Sequence, residues 1–254
     1  MPQHISVRDF IRFPATSDPK EPTSTLVLTS SGNRFVDIRI LKEGPEPIPQ
    51  VAKDAALLPL SHLDWAFAGT SSSNENVNGE VKSVWTHWID SRTLQPETVN
   101  DSGVMDPQSD GRTLERGVMP DPETGKLVRY EEMWRDIEAS SCGEKNAASG
   151  VKCVVLQMYC ETGGEEKDRA RGMVIRLGQF CQGVVRVGEA FALERWAWKE
   201  GEEKVGGGWK REVRMGDLFL PCGVAMEHFE RLKVGGKVTY EGFEWSVVEL
   251  EERG

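Results

Sequence analysis

Apolar residues recur with a period of two along most of the chain, the spacing of strands that bury one face. Residues 5–13, 25–30, 34–41, 64–69 and 81–90 read this way in the first half. Residues 151–159, 172–178, 180–187, 190–198, 209–215, 237–240 and 243–250 do so in the second. Ser31-Gly32-Asn33 and Glu241-Gly242 supply hairpin turns. Within 34–41, Val36, Ile38 and Ile40 share one face, and Phe35, Asp37 and Arg39 the other. Within 81–90, Trp85, His87 and Ile89 are expected on one face, with Val84, Thr86, Trp88 and Asp90 opposite. Met133, Trp134 and Ile137 lie at helical spacing, which predicts a short helix over 130–138, and 226–232 offers one or two further turns.

Between these runs, 70–79 is a Ser/Asn/Gly-rich loop, and 91–128 reads as long loops with short strands. The segment 201–208 is a charged, glycine-rich loop tip. Residues 140–150 are small and polar and mark a boundary between a unit at 1–140 and a second at 150–254. Many short strands with few helices make the chain all-β, built of antiparallel barrels or sandwiches.

Charge narrows the function classes. The 254 residues carry 31 Lys+Arg and 41 Asp+Glu, a net charge of −10. That balance argues against a nucleic-acid partner, which requires a basic face, and against an anionic membrane surface. No apolar run approaches the roughly 18–20 residues of a membrane span, and the first residues carry no secretory pattern. Glu165-Glu166, the acidic cluster at 200–203 and that at 249–252 read as solvated. Five cysteines make an odd count, and Cys153 and Cys160 are expected on opposite faces of one strand. Reduced thiols in a cytoplasmic protein are the simplest reading.

Cofactor and metal signatures are missing. Gly235-Gly236-Lys237-Val238-Thr239 lacks the preceding glycine of a phosphate loop, since position 231 is Arg. Gly206-Gly207-Gly208 leads into a strand rather than a helix, there is no nucleophile elbow, and His4, His62, His87 and His228 are scattered. No cofactor and no metal are expected.

The chemistry that stands out is aromatic. Phe35, Trp65, Phe67, Trp85 and Trp88 sit on neighbouring strand segments and are the candidate ligand-binding residues. Asp37, Arg39 and His87 share those strands and are the candidate catalytic residues. An inward Arg39 could hold an acidic enol, tropolone or carboxylate; Asp37 or His87 could deliver a proton to a leaving hydroxyl. The plain alternative is that the rings are ordinary core and Asp37 and Arg39 face solvent. Arg176, Gln182 and Arg186 form a second candidate pocket.

Several segments in this order resemble a fungal family, the lipocalin-like Hrr-interacting proteins named for a yeast casein-kinase interactor. They include Glu21-Pro22-Thr23-Ser24-Thr25-Leu26-Val27-Leu28, 34–41, the block Asp64-Trp65-Ala66-Phe67-Ala68-Gly69-Thr70, Trp85, Trp88-Ile89-Asp90, Met133-Trp134, 172–178, Gln182-Gly183 and 242–249. The Trp-Ala-Phe-Ala-Gly-Thr block is the most specific. The resemblance implies two lipocalin-like β-barrel halves and an intracellular fungal protein. It transfers no catalytic motif. Because fungi also recruit lipocalin-like barrels as cofactor-free cyclases, it implies two functions. One is a hetero-Diels–Alder enzyme joining a quinone methide-like polyketide to a terpene alkene. The other is a non-catalytic adaptor whose protein partners dock on loops 70–79 or 201–208. An apolar aromatic or terpenoid small molecule is the expected ligand, and a homodimer is the expected assembly.

Overall fold

A computed structural model describes residues 3–13, 18–77, 79–121, 124–142, 150–161, 169–201 and 207–254. The first half is a closed antiparallel barrel of eight strands in sequence order. They are β1 (His4–Arg12), β2 (Thr23–Thr29), β3 (Arg34–Leu41), β4 (Leu63–Glu75), β5 (Val81–Asp90), β6 (Asp101–Pro107), β7 (Thr113–Pro120) and β8 (Leu127–Ile137). β1 pairs with β8 to close it. The second half is a seven-stranded antiparallel sheet in the order β13-β12-β11-β10-β9-β15-β14. Its strands are β9 (Val151–Glu161), β10 (Arg169–Leu177), β11 (Phe180–Val187), β12 (Ala190–Lys199), β13 (Gly208–Met215), β14 (Lys237–Tyr240) and β15 (Phe243–Arg253). A helix, α1 (Gln50–Asp54), lies between β3 and β4, and α2 (Cys222–Glu227) between β13 and β14. The chain is therefore all-β, as its periodicity implies.

The segment expected as a helix over 130–138 is instead strand as far as Ile137. Tyr130, Glu132, Trp134 and Asp136 alternate into the barrel; two of them are acids, so the apolar period of two is broken. Much of the expected loop at 70–79 is also strand, because β4 runs on to Glu75. The expected helix at 226–232 begins earlier, as α2, and continues only as a single turn over Phe229–Arg231. Both hairpins form as expected, with Asn33 (φ 60°) and Glu241-Gly242 (φ 49° and 81°) in the left-handed region. Most of the loop at 201–208, the boundary segment and Glu165-Glu166 lie outside the described residues. Glu249 is not a solvated tail residue: it accepts from Ser30, Gly32 and Arg34 of the β2–β3 hairpin. All five cysteines are free, with Cys153 buried and Cys160 exposed on the same strand.

The halves share one apolar layer. Val36, Ile38, Ala66, Ala68 and Ile89 on the outer barrel wall pack against Val155, Met173, Ile175, Val184 and Leu193 of the sheet. β3 is thus buried on both faces, one against the sheet and one inside the barrel. Gln182 and Arg186, expected around a second pocket, instead tie the sheet to the barrel. Gln182 Nε2 donates to Leu26 O (2.9 Å) and Val36 O (2.7 Å), and Arg186 Nη2 to Asp90 O (2.8 Å). Arg195 Nη2 adds a bond to Ile38 O at 2.7 Å. Arg176 points the other way and donates to Met226 O of α2 at 2.8 Å. These four polar side chains satisfy backbone carbonyls.

Candidate functional site in the first barrel

Strand alternation decides what the barrel encloses. β3 turns Phe35, Asp37 and Arg39 inward, β4 turns Trp65, Phe67, Ser71 and Ser73, and β5 turns Val81, Ser83 and Trp85. β6 and β7 add Asp101, Met105, Glu115 and Met119, and β8 adds Tyr130, Glu132, Trp134 and Asp136. Together they surround a cavity of about 390 Å³. The lumen is hollow, although the alternative of a ring-filled barrel was open from the sequence.

β5 carries a bulge that reorganises its end. Ala68 pairs with Ile89 but Gly69 pairs with His87, so Trp88 is the extra residue. Gly69 permits this: a Cβ there would stand 1.9 Å from Thr86 O. Beyond the bulge the faces swap. Ile89 turns out to the shared core rather than lying beside Trp85 and His87. Asp90 turns towards His87 rather than sharing a face with Trp88, and its Oδ2 lies 2.8 Å from His87 Nδ1. Trp88 itself packs against the outer core, away from the cavity wall, so its expected place among the ligand-binding rings is corrected.

The expected catalytic residues are brought together unequally. Arg39 Nε and Nη2 donate to Asp37 Oδ2 at 3.0 and 2.9 Å, and Nη1 to Glu132 Oε1 at 2.9 Å. Arg8 also donates to Glu132 Oε1, and to Glu21 Oε2 at 2.8 Å. The Arg39 guanidinium lies 5.3 Å from the Trp65 ring and 5.5 Å from that of Phe67. Burial opposes its charge, but Asp37 and Glu132 outweigh burial and hold it firmly protonated. Arg39 therefore has two carboxylate partners already, and an acidic guest would have to displace one. Burial pushes the Asp37 carboxyl up, against the pull of Arg39. Its Oδ1 has no hydrogen-bond partner, although the residue is only 3% exposed.

His87 stands behind the wall. Its ring stacks on Phe67 with centroids 4.3 Å apart and an angle of 10°. Nε2 lies 2.9 Å from Asp101 Oδ2, completing an Asp90–His87–Asp101 chain. Burial works against the imidazolium, but hydrogen bonds to Asp101 and Asp90 prevail and raise its pKa. Asp90 is pulled down despite burial by His87, the Arg92 N–H and the Trp65 indole. As a direct proton donor to a guest, His87 is misplaced; Asp101 is the member of the chain on the cavity wall.

Sequence reasoning missed Glu115. Its Oε1 accepts from Tyr130 Oη at 2.5 Å and its Oε2 from Trp134 Nε1 at 2.9 Å. Gly103 makes room for it, since a Cβ there would lie 2.6 Å from Glu115 Cγ. Burial, then the charge of Glu132, pushes Glu115 up to about 8, so the carboxyl is protonated at neutral pH. No apolar period marks Glu115, because β7 falls in the stretch 91–128 that reads as long loops with short strands.

Known proteins agree with this architecture. The Protein HRI1 family profile matches residues 4–249. Protein HRI1 of Saccharomyces cerevisiae strain Lalvin QA23 is 24% identical over 250 residues, covering 91% of this chain and 93% of the relative. The FostersO strain protein matches to the same extent. A crystal structure of an uncharacterized Saccharomyces cerevisiae protein, YLR301w, superposes with a TM-score of 0.70 at 20% identity, covering 99% of this chain and 100% of that one. With a profile that spans almost the entire chain, this protein belongs to the HRI1 family.

Proposed function

We propose that the first barrel binds a ring-bearing small molecule. The observation that carries this reading is the cavity of about 390 Å³, walled by rings and by a few convergent polar groups. Ligand pockets commonly occupy roughly 300–1,000 Å³ and combine those two features. Trp65, Phe67, Trp85 and Trp134 offer flat apolar contact, and Glu115 and Asp101 offer polar contact.

The finer reading is a cofactor-free cyclase of the hetero-Diels–Alder type. Holding two reactants in register supplies roughly 7–11 kcal/mol. The Glu115 carboxyl supports a preceding acid step. Its O–H bond breaks and the proton passes to a benzylic hydroxyl beside a phenol; the C–O bond breaks as water departs, the phenolic O–H returns a proton to the Glu115 carboxylate, and the resulting neutral quinone methide-like heterodiene adds to a terpene alkene. The competing reading is a non-catalytic adaptor, for which the hollow has no role.

The test is a titration of planar phenolic polyketides and of terpene alkenes, followed by tryptophan fluorescence. Saturable quenching is expected, weakened about tenfold or more by Ser83→Phe, which fills the lumen. Glu115→Gln should retain binding and slow product formation by about a hundredfold. Quenching that Ser83→Phe leaves unchanged in a folded protein overturns the lumen as the site.

A further inference from the structure

The strongest donors of the lumen are directed at neighbouring carboxyls. Arg39 donates to Asp37 and Glu132, and Tyr130 and Trp134 donate to Glu115. Trp65 Nε1 donates to Asp90 Oδ1 at 3.0 Å. Asp101 keeps an open acceptor. Its Oδ2 is bonded to His87, but its Oδ1 accepts from no described residue. Its carboxyl is 18% exposed, and the residue lines the cavity.

Behind Asp101 the hydrogen-bond chain is closed. The His87 side chain is fully buried, and each ring nitrogen faces a carboxylate oxygen, Nδ1 that of Asp90 at 2.8 Å and Nε2 that of Asp101 at 2.9 Å. Carboxylates only accept, so both nitrogens donate, which is the imidazolium form. Asp90 also accepts from the Arg92 N–H at 2.7 Å, so both of its oxygens are satisfied. Asp90 is the anchor, His87 a fixed cation, and Asp101 the end that meets the hollow. Asp101 also faces Glu115 of β7, Arg39 of β3 and Tyr130 of β8, but among the described residues it bonds to His87 alone. That charge-assisted bond sets the direction in which Asp101 presents its second oxygen.

From this geometry we infer that Asp101 is the base of the lumen, with His87 and Asp90 as its positioning residues. The inference rests on the dehydration proposed above and names the group through which the phenolic proton returns to Glu115. Glu115 protonates the benzylic hydroxyl, and the C–O bond breaks as water departs. The ring left behind is a cation, which makes its phenolic O–H strongly acidic. That O–H bond breaks, its electron pair becomes part of the quinone methide carbonyl, and the proton goes to Asp101 Oδ1. The water just formed carries a proton from Asp101 to the Glu115 carboxylate, and both groups end as they began. Two carboxyls of one lumen take the roles of acid and base.

The experiment follows conversion of ortho-hydroxybenzyl alcohol and ethyl vinyl ether to the ethoxychroman by chromatography. Asp101→Ala is expected to lower kcat about a hundredfold with KM within about threefold, and added formate should restore turnover in proportion to its concentration. His87→Gln keeps the carboxylate but not the cation; it should lower kcat about tenfold, and formate should not help it. In the wild-type protein, imidazole NMR at neutral pH should show both His87 nitrogens protonated. Should Asp101→Ala not fold, Asp101→Asn carries the same split between kcat and KM. Unchanged kcat in the folded variant, or a loss that formate leaves in place, overturns the base role and leaves the Glu115 reading standing. No ethoxychroman from the wild type above the uncatalysed rate, with tryptophan quenching by the phenol intact, overturns the cyclase reading and the base role together and leaves the binding lumen.

Discussion

Inside the first barrel the inward positions of β3, β7 and β8 hold Asp37, Arg39, Glu115, Tyr130, Glu132 and Trp134, arranged around empty space. On the α2 side of the second sheet the corresponding positions hold Val154, Leu156, Val174, Cys181, Val185 and Ala192. They pack directly on Ala225 and Met226 of α2 and on Trp245. Both halves are antiparallel and both alternate. The difference is what alternation delivers to the interior. Apolar side chains close on each other and expel water, so the second interior fills. In the first wall Arg39 is shared between Asp37 and Glu132, and the stability of these charges derives from mutual pairing rather than from packing. The comparison teaches that the hollow half is the half whose interior needs a partner.

Breaking each half should therefore read differently. The largest effect is expected from Trp245→Ala, which empties a ring that is 1% exposed. Denaturant unfolding should show a loss of about 3–5 kcal/mol, with ligand binding retained. Arg39→Met comes next. It leaves Asp37 and Glu132 buried without their shared cation, at a cost of about 3 kcal/mol, and it disturbs the lumen as well. Added volume separates the halves further. Ala225→Leu should destabilise the filled interior by about 1–3 kcal/mol, whereas Ser83→Leu in the hollow should cost under about 1 kcal/mol. The smallest effect concerns pH. Glu115 takes up its proton more readily in the folded chain (about 8) than at its ordinary value of 4.5. Its contribution is therefore full below pH 4.5 and is lost as pH rises through 8. Thermal midpoints of wild type and Glu115→Gln should differ by a few degrees more at pH 9 than at pH 5, in favour of the variant.

The two interiors were also unequally legible. Apolar alternation exposed β9 to β12 directly, because their inward faces are apolar apart from Arg176 and Glu194. β8 escaped: Glu132 and Asp136 occupy inward positions, so the strand carries no apolar period, while Met133, Trp134 and Ile137 imitate a helix turn. The same polar lining hid Glu115, whose carboxyl burial and Glu132 push up to about 8. Phe35, Asp37, Arg39, Trp65, Phe67 and Trp85 do share one cavity, as strand parity suggested. Trp88 and Asp90 were misplaced because parity fails at a bulge, and a single extra residue leaves no mark in the hydrophobic pattern. Gln182 and Arg186 look like pocket residues in one dimension. Only the packing of two halves shows that they bond barrel carbonyls.

The central claim, an interior that holds a small-molecule guest in the first half only, is tested most directly by native mass spectrometry of the protein purified from its own cells. The account predicts a fraction of molecules carrying a bound mass of a few hundred daltons, absent from the Ser83→Phe variant and present in Trp245→Tyr. A bare chain mass in every preparation, or an adduct that survives filling of the first lumen, would contradict it.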